Sequence, residues 1–255
     1  SRVTLGTAVL LPALRQPVLL AHSLASLDVL SGGRLVTGVG VGGTFTPEQK
    51  NDWVSAGVVP GQRAGRLSET SDIMRKLWTA DKVDFNGRYF QIHSVSLYPK
   101  PVQAGGIPIF FATHYRTGSE AQYMRAATYG DGLIGITDSP EQYAEVVRRT
   151  LGFVSDLGKS RSQFERVFYL TVNVGSPTQA SAEADDFLMA YYGVRHWGDR
   201  WGPWGKAEDI ANTLGKYAAA GATHLVVRFA SWNQREQLDR FVNQVLPIVH
   251  RSGVL

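Results

Sequence analysis

Two kinds of segment alternate along this chain from one end to the other. Short apolar runs rich in branched residues read as strands, and stretches with apolar positions three or four apart read as helices. Val3–Leu11 is the first such strand, and Pro17–Leu30 follows as a helix with Leu19, Leu20, Leu24, Leu27 and Leu30 on helical spacing. Ser31-Gly32-Gly33 closes that helix, and Arg34–Val41 is the next strand. Thr46-Pro47-Glu48 is a helix start, a capping hydroxyl followed by proline at the first helical position. A longer helix over Arg63–Trp78 turns Leu67, Ile73, Met74, Leu77 and Trp78 inward. Val83–Phe90 carries the Asn-Gly signal of a hairpin.

The alternation then becomes regular. Strands are expected at Pro108–Thr113, Gly132–Ile136, Arg166–Val174 and His224–Ala230. Helices are expected at Glu120–Tyr129, Pro140–Leu157, Pro177–Tyr192, Ala207–Ala220 and Gln234–His250. Continuously apolar strands between amphipathic helices mean a parallel sheet covered on its faces. About six such strands are expected. No composition break marks a linker, so residues 1–255 read as one domain. Gly193–Gly205 is the long irregular stretch, and its three tryptophans weigh against disorder.

Composition narrows the chemistry. With 44% hydrophobic and 19% charged residues the chain is a globular protein, and with no cysteine it has no disulfide, thiolate nucleophile or cysteine-bound metal. No metal site is expected. A reducing cytoplasm is the compatible compartment. The net charge of +4 is spread without a basic run, so neither nucleic acid nor a membrane surface is an expected partner. The most apolar segment, Val9–Ala21, is interrupted by Pro12, Arg15, Gln16 and Pro17. The first residues read as a strand and not as a signal peptide.

Gly38-Val39-Gly40-Val41-Gly42-Gly43 follows a strand and has the outline of a dinucleotide-binding turn. Its context does not fit, because Thr44-Phe45-Thr46 separate the last glycine from the helix and no acidic residue stands about 20 positions on at a strand end. The bare backbone instead lets a flat ligand or another loop come close.

Several segments, in order, resemble the bacterial-luciferase-like family of flavin-dependent monooxygenases and deazaflavin (F420) oxidoreductases. They are Leu5–Pro12, Arg15–Val18, Leu27–Leu35, Gly38–Gly42, Ala56-Gly57-Val58 with Arg63, Arg66 and Glu69, Gly87–Phe90, Pro99–Gln103, and Gly130-Asp131-Gly132. The resemblance implies a TIM (β/α)8 barrel of the luciferase-like type. The first strand here corresponds to the family's third, so two β/α units, roughly 60 residues, would precede it. The segments at Val3–Leu11 and His224–Ala230 are then expected to be edge strands, with association into a homo-oligomer.

Function follows as an expectation. The first reading is a monooxygenase using reduced FMN, supplied by a separate flavin reductase, and O2 on a small organic substrate. The alternative is F420-dependent hydride transfer, and a reading of another class is a non-catalytic flavin-binding barrel. For the cofactor the resemblance implies a cis peptide between Ala8 and Val9 behind the ring, with Gly40 and Ala112 beside it. A phosphate site is expected from Arg63, Thr113, Thr117, Gly118 and Ser119, since hydroxyls and free amides at a helix start receive anions. His114, at a strand end, is the candidate acid–base group. Trp197, Trp201 and Trp204 are expected to roof the substrate pocket. Asp28 and Arg34 are expected to form a structural ion pair.

Overall fold

A computed structural model describes residues 2–193 and 201–253. Among them the chain runs β1 (Leu5–Leu10), α1 (Pro17–Ser31), β2 (Leu35–Val39), α2 (Pro47–Ser55), α3 (Arg63–Thr79), β3 (Val83–Asn86), β4 (Gln91–Val95) and β5 (Ile109–Ala112). It continues through α4 (Glu120–Tyr129), β6 (Gly132–Ile136), α5 (Pro140–Asp156), β7 (Glu165–Val174), α6 (Pro177–Tyr192), β8 (Trp204–Gly205), α7 (Ala207–Ala219), β9 (His224–Phe229), α8 (Gln234–Arg240) and α9 (Leu246–Ser252). Contacts gather these elements into two compact units, residues 1–112 with 124–132, and residues 113–123 with 133–255.

In the first unit β1, β2 and β5 pair in parallel. The register of β1 on β2 shifts between Thr7 and Leu10, and the Ala8–Val9 peptide within that shift is cis, as expected from the sequence. Helix α1 starts on Pro17 and stops where Gly32 turns left-handed at φ 68°. Its inward stripe is Leu20, Ala21, Leu24, Ala25 and Asp28, while Leu19, Leu27 and Leu30 face outward. Of the five leucines on helical spacing, only Leu20 and Leu24 are buried. Small alanines on the true stripe let α3 approach, and the Trp78 indole donates to the Ala21 carbonyl at 3.0 Å.

The expected Asp28–Arg34 pair does not form. The Asp28 carboxylate, fully buried, accepts instead from the Val102 amide at 2.8 Å and the Gln103 side chain at 2.7 Å, with longer bonds from the Leu35 and Gln103 amides. Arg34 donates to the carbonyls of Ser31 and Val3. A buried carboxylate needs several donors, and four neutral N–H groups meet that need without a partner charge. Glu69 of α3 behaves in the same way. It takes the amides of Arg88, Tyr89 and Phe90 and fixes the β3–β4 hairpin to the helix.

In the second unit β7 is the buried strand, with β6 beside it and β8 and β9 also paired to it. The parallel register of β9 runs from Val167↔His224 to Val172↔Phe229. Trp204 and Gly205, inside the stretch expected to be irregular, pair with Asn173 and Val174 as the short strand β8. Tyr143, Phe168 and Tyr217 form the aromatic centre, Phe168 stacking on Tyr217 at 3.8 Å. Helix α5 opens with the reciprocal Ser139–Gln142 capping box. The final helix is not continuous. A π turn at Phe241–Val245 separates α8 from α9, next to Pro247, which has no N–H to continue the α-helical ladder.

Each unit has an edge strand. Among the described residues β1 pairs with β2 alone and β9 with β7 alone. Both carry exposed or half-exposed residues throughout, whereas β7 is buried over most of its length.

Candidate functional site

The C-terminal ends of β1, β2 and β5 make a small apolar floor in the first unit. A Cβ on Gly38 would sit 2.2 Å from the Thr7 carbonyl oxygen, so this crossing accepts only glycine. The Thr7 hydroxyl, in return, donates to the Gly38 carbonyl at 2.8 Å. One residue pair along, a Cβ on Gly40 would meet the Val9 side chain at 2.8 Å and Ala112 at 3.5 Å. Val9, Gly40 and Ala112 are therefore neighbours, and all three are small or bare. The later glycines serve another purpose. Gly42 lies against the Trp53 ring, and Gly43 offers its carbonyl to the Trp53 indole at 3.0 Å, which docks α2.

Arg63 opens α3 in this unit. Its Nη1 donates to the Pro60 carbonyl at 2.8 Å, while its buried Nε meets no acceptor. A helix N-terminus is the less favourable end for a cation, and a buried donor left alone costs roughly 1–3 kcal/mol.

Thr113–Ser119 belongs to the second unit. The Thr113 amide donates to the Ile134 carbonyl, and its hydroxyl is buried without a partner. Around His114 the Gln122 side chain is a double clasp, accepting from the His114 amide at 2.9 Å and donating to the His114 carbonyl at 2.7 Å. The same carbonyl accepts from the Thr117 hydroxyl, and the Gly118 amide turns back to Tyr115. Thr117 and Gly118 are thus engaged within the loop. Thr113 and the exposed Ser119 hydroxyl keep the freer donors.

The His114 ring is largely buried, and burial lowers its pKa below 6.5 against the opposing pull of Asp138 and the Ile136 carbonyl. Asp138 also accepts from the Tyr115 amide at 3.0 Å, and the Asp138 carbonyl accepts from the Tyr217 hydroxyl at 2.7 Å. Sequence reasoning did not single out Asp138 or Gln122. Their signal is weak, one acid at a strand end and one amide in a helix.

Above β7 and β9, Trp201 and Trp204 pack with Phe187 and Tyr192 on Ala184, Leu188 and Ala230. They form an aromatic layer at the strand ends, where a pocket roof was expected. Trp197 lies outside the described residues. Glu183 of α6 anchors this layer by accepting from Asn173 and Ser231. Burial alone would raise the Glu183 pKa, but those donors and the Trp232 amide hold it below the usual carboxylate value. Within the layer sits Arg228, which the sequence reading passed over. Its only signal was a single guanidinium after the apolar run Leu225-Val226-Val227, with no motif around it.

Among the described residues no group of three metal-ligating side chains gathers, and no helix is long and apolar enough to cross a membrane.

The chain as a whole is similar to known proteins. F420-dependent glucose-6-phosphate dehydrogenase from Mycolicibacterium fortuitum is 25% identical over 99% of this chain and 80% of its own length. The enzyme of the same name from Kineococcus radiotolerans is 27% identical over 98% of this chain and 79% of its length. Among solved structures, an F420-dependent secondary alcohol dehydrogenase in complex with an F420-acetone adduct superposes with a TM-score of 0.81 at 21% identity, over 98% of this chain and 80% of that one. EDTA monooxygenase from Chelativorans sp. BNC1 superposes at 0.72 with 17% identity, over 99% and 73%. The likeness supports the expected luciferase-like TIM-barrel class of parallel α/β fold, and oxidoreductase chemistry is common to these relatives. With the luciferase-like monooxygenase model matching residues 1–239, the chain belongs to that family.

Proposed function

We propose that this protein is an F420-dependent oxidoreductase that removes hydride from a small organic substrate. One observation carries the reading: relatives similar over nearly the whole chain are F420-dependent dehydrogenases. The FMN monooxygenase expected first from the sequence becomes the second reading, kept because an EDTA monooxygenase shares the fold.

The residues fit a flat cofactor. Val9, Gly40 and Ala112 are the patch assigned to a planar ring: the Val9 side chain packs directly against the bare Gly40 backbone, in the space a Cβ there would need, and Ala112 lies beside it. The unpartnered donors of Arg63, in one unit, and of Thr113, in the other, are each suited to a charged or polar group of a cofactor side chain. Ser119 adds an exposed hydroxyl at the start of α4. When bound, F420 supplies the hydride acceptor. The chain's own tasks are to present the ring, exclude water, and take the proton released as a carbinol becomes a carbonyl. His114 is the candidate for that proton. Its lowered pKa leaves the imidazole neutral near pH 7, and Asp138 steadies the charge that appears on protonation.

Titration with F420 and with FMN, followed by tryptophan fluorescence, tests the reading. Binding of F420 about tenfold tighter or better is the expected result. Preference for FMN would restore the monooxygenase reading, and binding of neither would favour a non-catalytic barrel.

A further inference from the structure

Arg228 stands in a box of aromatic rings. Its guanidinium carbon lies 5.3 Å from the Trp201 ring centre, 5.4 Å from Tyr191, 5.5 Å from Tyr192 and 5.8 Å from Tyr169. Four π faces at such distances stabilise the cation. They do not satisfy its hydrogen bonds, because a ring face is a weak acceptor. Nη1 donates to the Tyr192 hydroxyl at 2.9 Å. Nε and Nη2 are shut off from solvent and have no hydrogen-bond partner.

Those two nitrogens are not a random remainder. They form one edge of the guanidinium, with two parallel N–H vectors spaced to match the two oxygens of a carboxylate or phosphoryl group. An arginine held on one side by a phenol and on its faces by rings, with its bidentate edge unused, is preorganised for an oxyanion. Leaving that edge empty costs roughly 1–3 kcal/mol per donor. We infer that Arg228 is an oxyanion-binding subsite, reading a carboxylate or phosphate group on a ligand that enters through the aromatic layer.

The layer can open. Tyr191, in the last turn of α6, is 66% exposed. Its ring is stacked loosely on Phe187 at 6.4 Å and touches Tyr192 edge-on. Tyr191 is thus the exposed ring of the cage, and the inference requires that its side chain turn aside to admit the ligand. Arg228 itself is fixed one position before the end of β9, opposite Thr171 of β7. The subsite rests on reading Trp201 as a pocket wall and is independent of which cofactor the protein uses.

Inorganic phosphate and succinate, each titrated into the whole protein at constant ionic strength with chloride as the control, are the probes. Tryptophan fluorescence reports occupancy, because Trp201 faces Arg228. Saturable binding in the millimolar range is expected, with Arg228→Lys weakening it by about tenfold. Lysine keeps the charge and the ring contacts but not the paired donors, so a lost response in a folded R228K protein cannot be assigned to collapse of the cage. Arg228→Gln, checked for its circular dichroism, should abolish the response. Equal binding by wild type and R228K, or no response beyond chloride, overturns the inference. Competition between phosphate and F420 would place the oxyanion on the cofactor. Independent binding of the two would place it on the substrate. Phosphate binding that depends on Arg228, with no F420 binding at all, would leave the subsite standing and defeat the proposed function.

Discussion

Helix α3 carries an arginine near each end, and the two live under different rules. Arg75, near the last turn, donates to the Gly105 carbonyl at 2.7 Å and to the Asp131 carboxylate, while Asp131 also accepts from the Ile109 amide at 2.8 Å. Every feature there is reciprocated, and a cation near a helix C-terminus is favoured. Arg63, in the first turn, has one carbonyl, one buried donor without an acceptor, and the wrong end of the dipole. An arginine that stabilises a fold looks like the first. One retained against the local energetics looks like the second, and a ligand is the simplest reason to retain it.

The contrast can be broken at either end. Replacing Asp131 by alanine should have the largest effect, a loss of about 2 kcal/mol read from urea denaturation, since the Ile109 amide and the Arg75 guanidinium both lose their acceptor. A loss well under 1 kcal/mol would class this corner as an ordinary surface pair. Arg63→Met should leave the urea midpoint unchanged or slightly raised, and weaken F420 binding by about tenfold, or about 1.4 kcal/mol. If R63M unfolds the protein instead, Arg63 is a structural residue and the comparison fails.

Two smaller effects concern pH and belong to the second unit. Because Glu183 is held below its ordinary pKa, its contribution to stability is present above the carboxylate range and is lost as pH falls through the folded-state value. Urea midpoints taken between about pH 6 and about pH 3 should therefore drop more steeply for the wild type than for Glu183→Gln; parallel curves would remove Glu183 from the account. For His114 the lowered pKa predicts that kcat/KM holds its plateau down to pH values below 6.5 before the acid limb begins. His114→Asn should remove that limb and depress kcat, and an unchanged profile would relieve His114 of the proton.

The contrast also explains what the sequence could tell. Strand and helix order was readable because periodicity carries it, and α4, β6 and α6 end where the pattern says they do. Proline and glycine punctuation set the ends of α1. What the pattern could not convey was geometry decided by partners. Leucine spacing showed the helix α1 but not its buried stripe, because Ala21 and Ala25, poor hydrophobic signals, share that stripe with Leu20 and Leu24. Pro247 was visible, but the π turn it borders was not, because the apolar spacing runs on through Phe241, Val245 and Val249 and reads as one helix. The charges at Asp28 and Arg34 invited pairing, yet backbone amides from a distant loop took the carboxylate. Among candidate site residues, the floor of Val9, Gly40 and Ala112 is assembled as neighbours. Arg228 was missed because a single charge within a strand has no motif to announce it. Its meaning appears only when the rings around it and the two idle donors are seen together.

The Glu69 clamp has a consequence for the order of assembly. One carboxylate gathers three successive amides about 20 residues away, at Arg88, Tyr89 and Phe90. A hairpin alone is marginal in water, and this one gains its anchor only after α3 has presented Glu69. Slow deuterium exchange at those three amides should therefore track the integrity of α3 rather than that of the hairpin they belong to. A transient opening of the helix would be recorded three times over, in a part of the chain that has not itself unfolded.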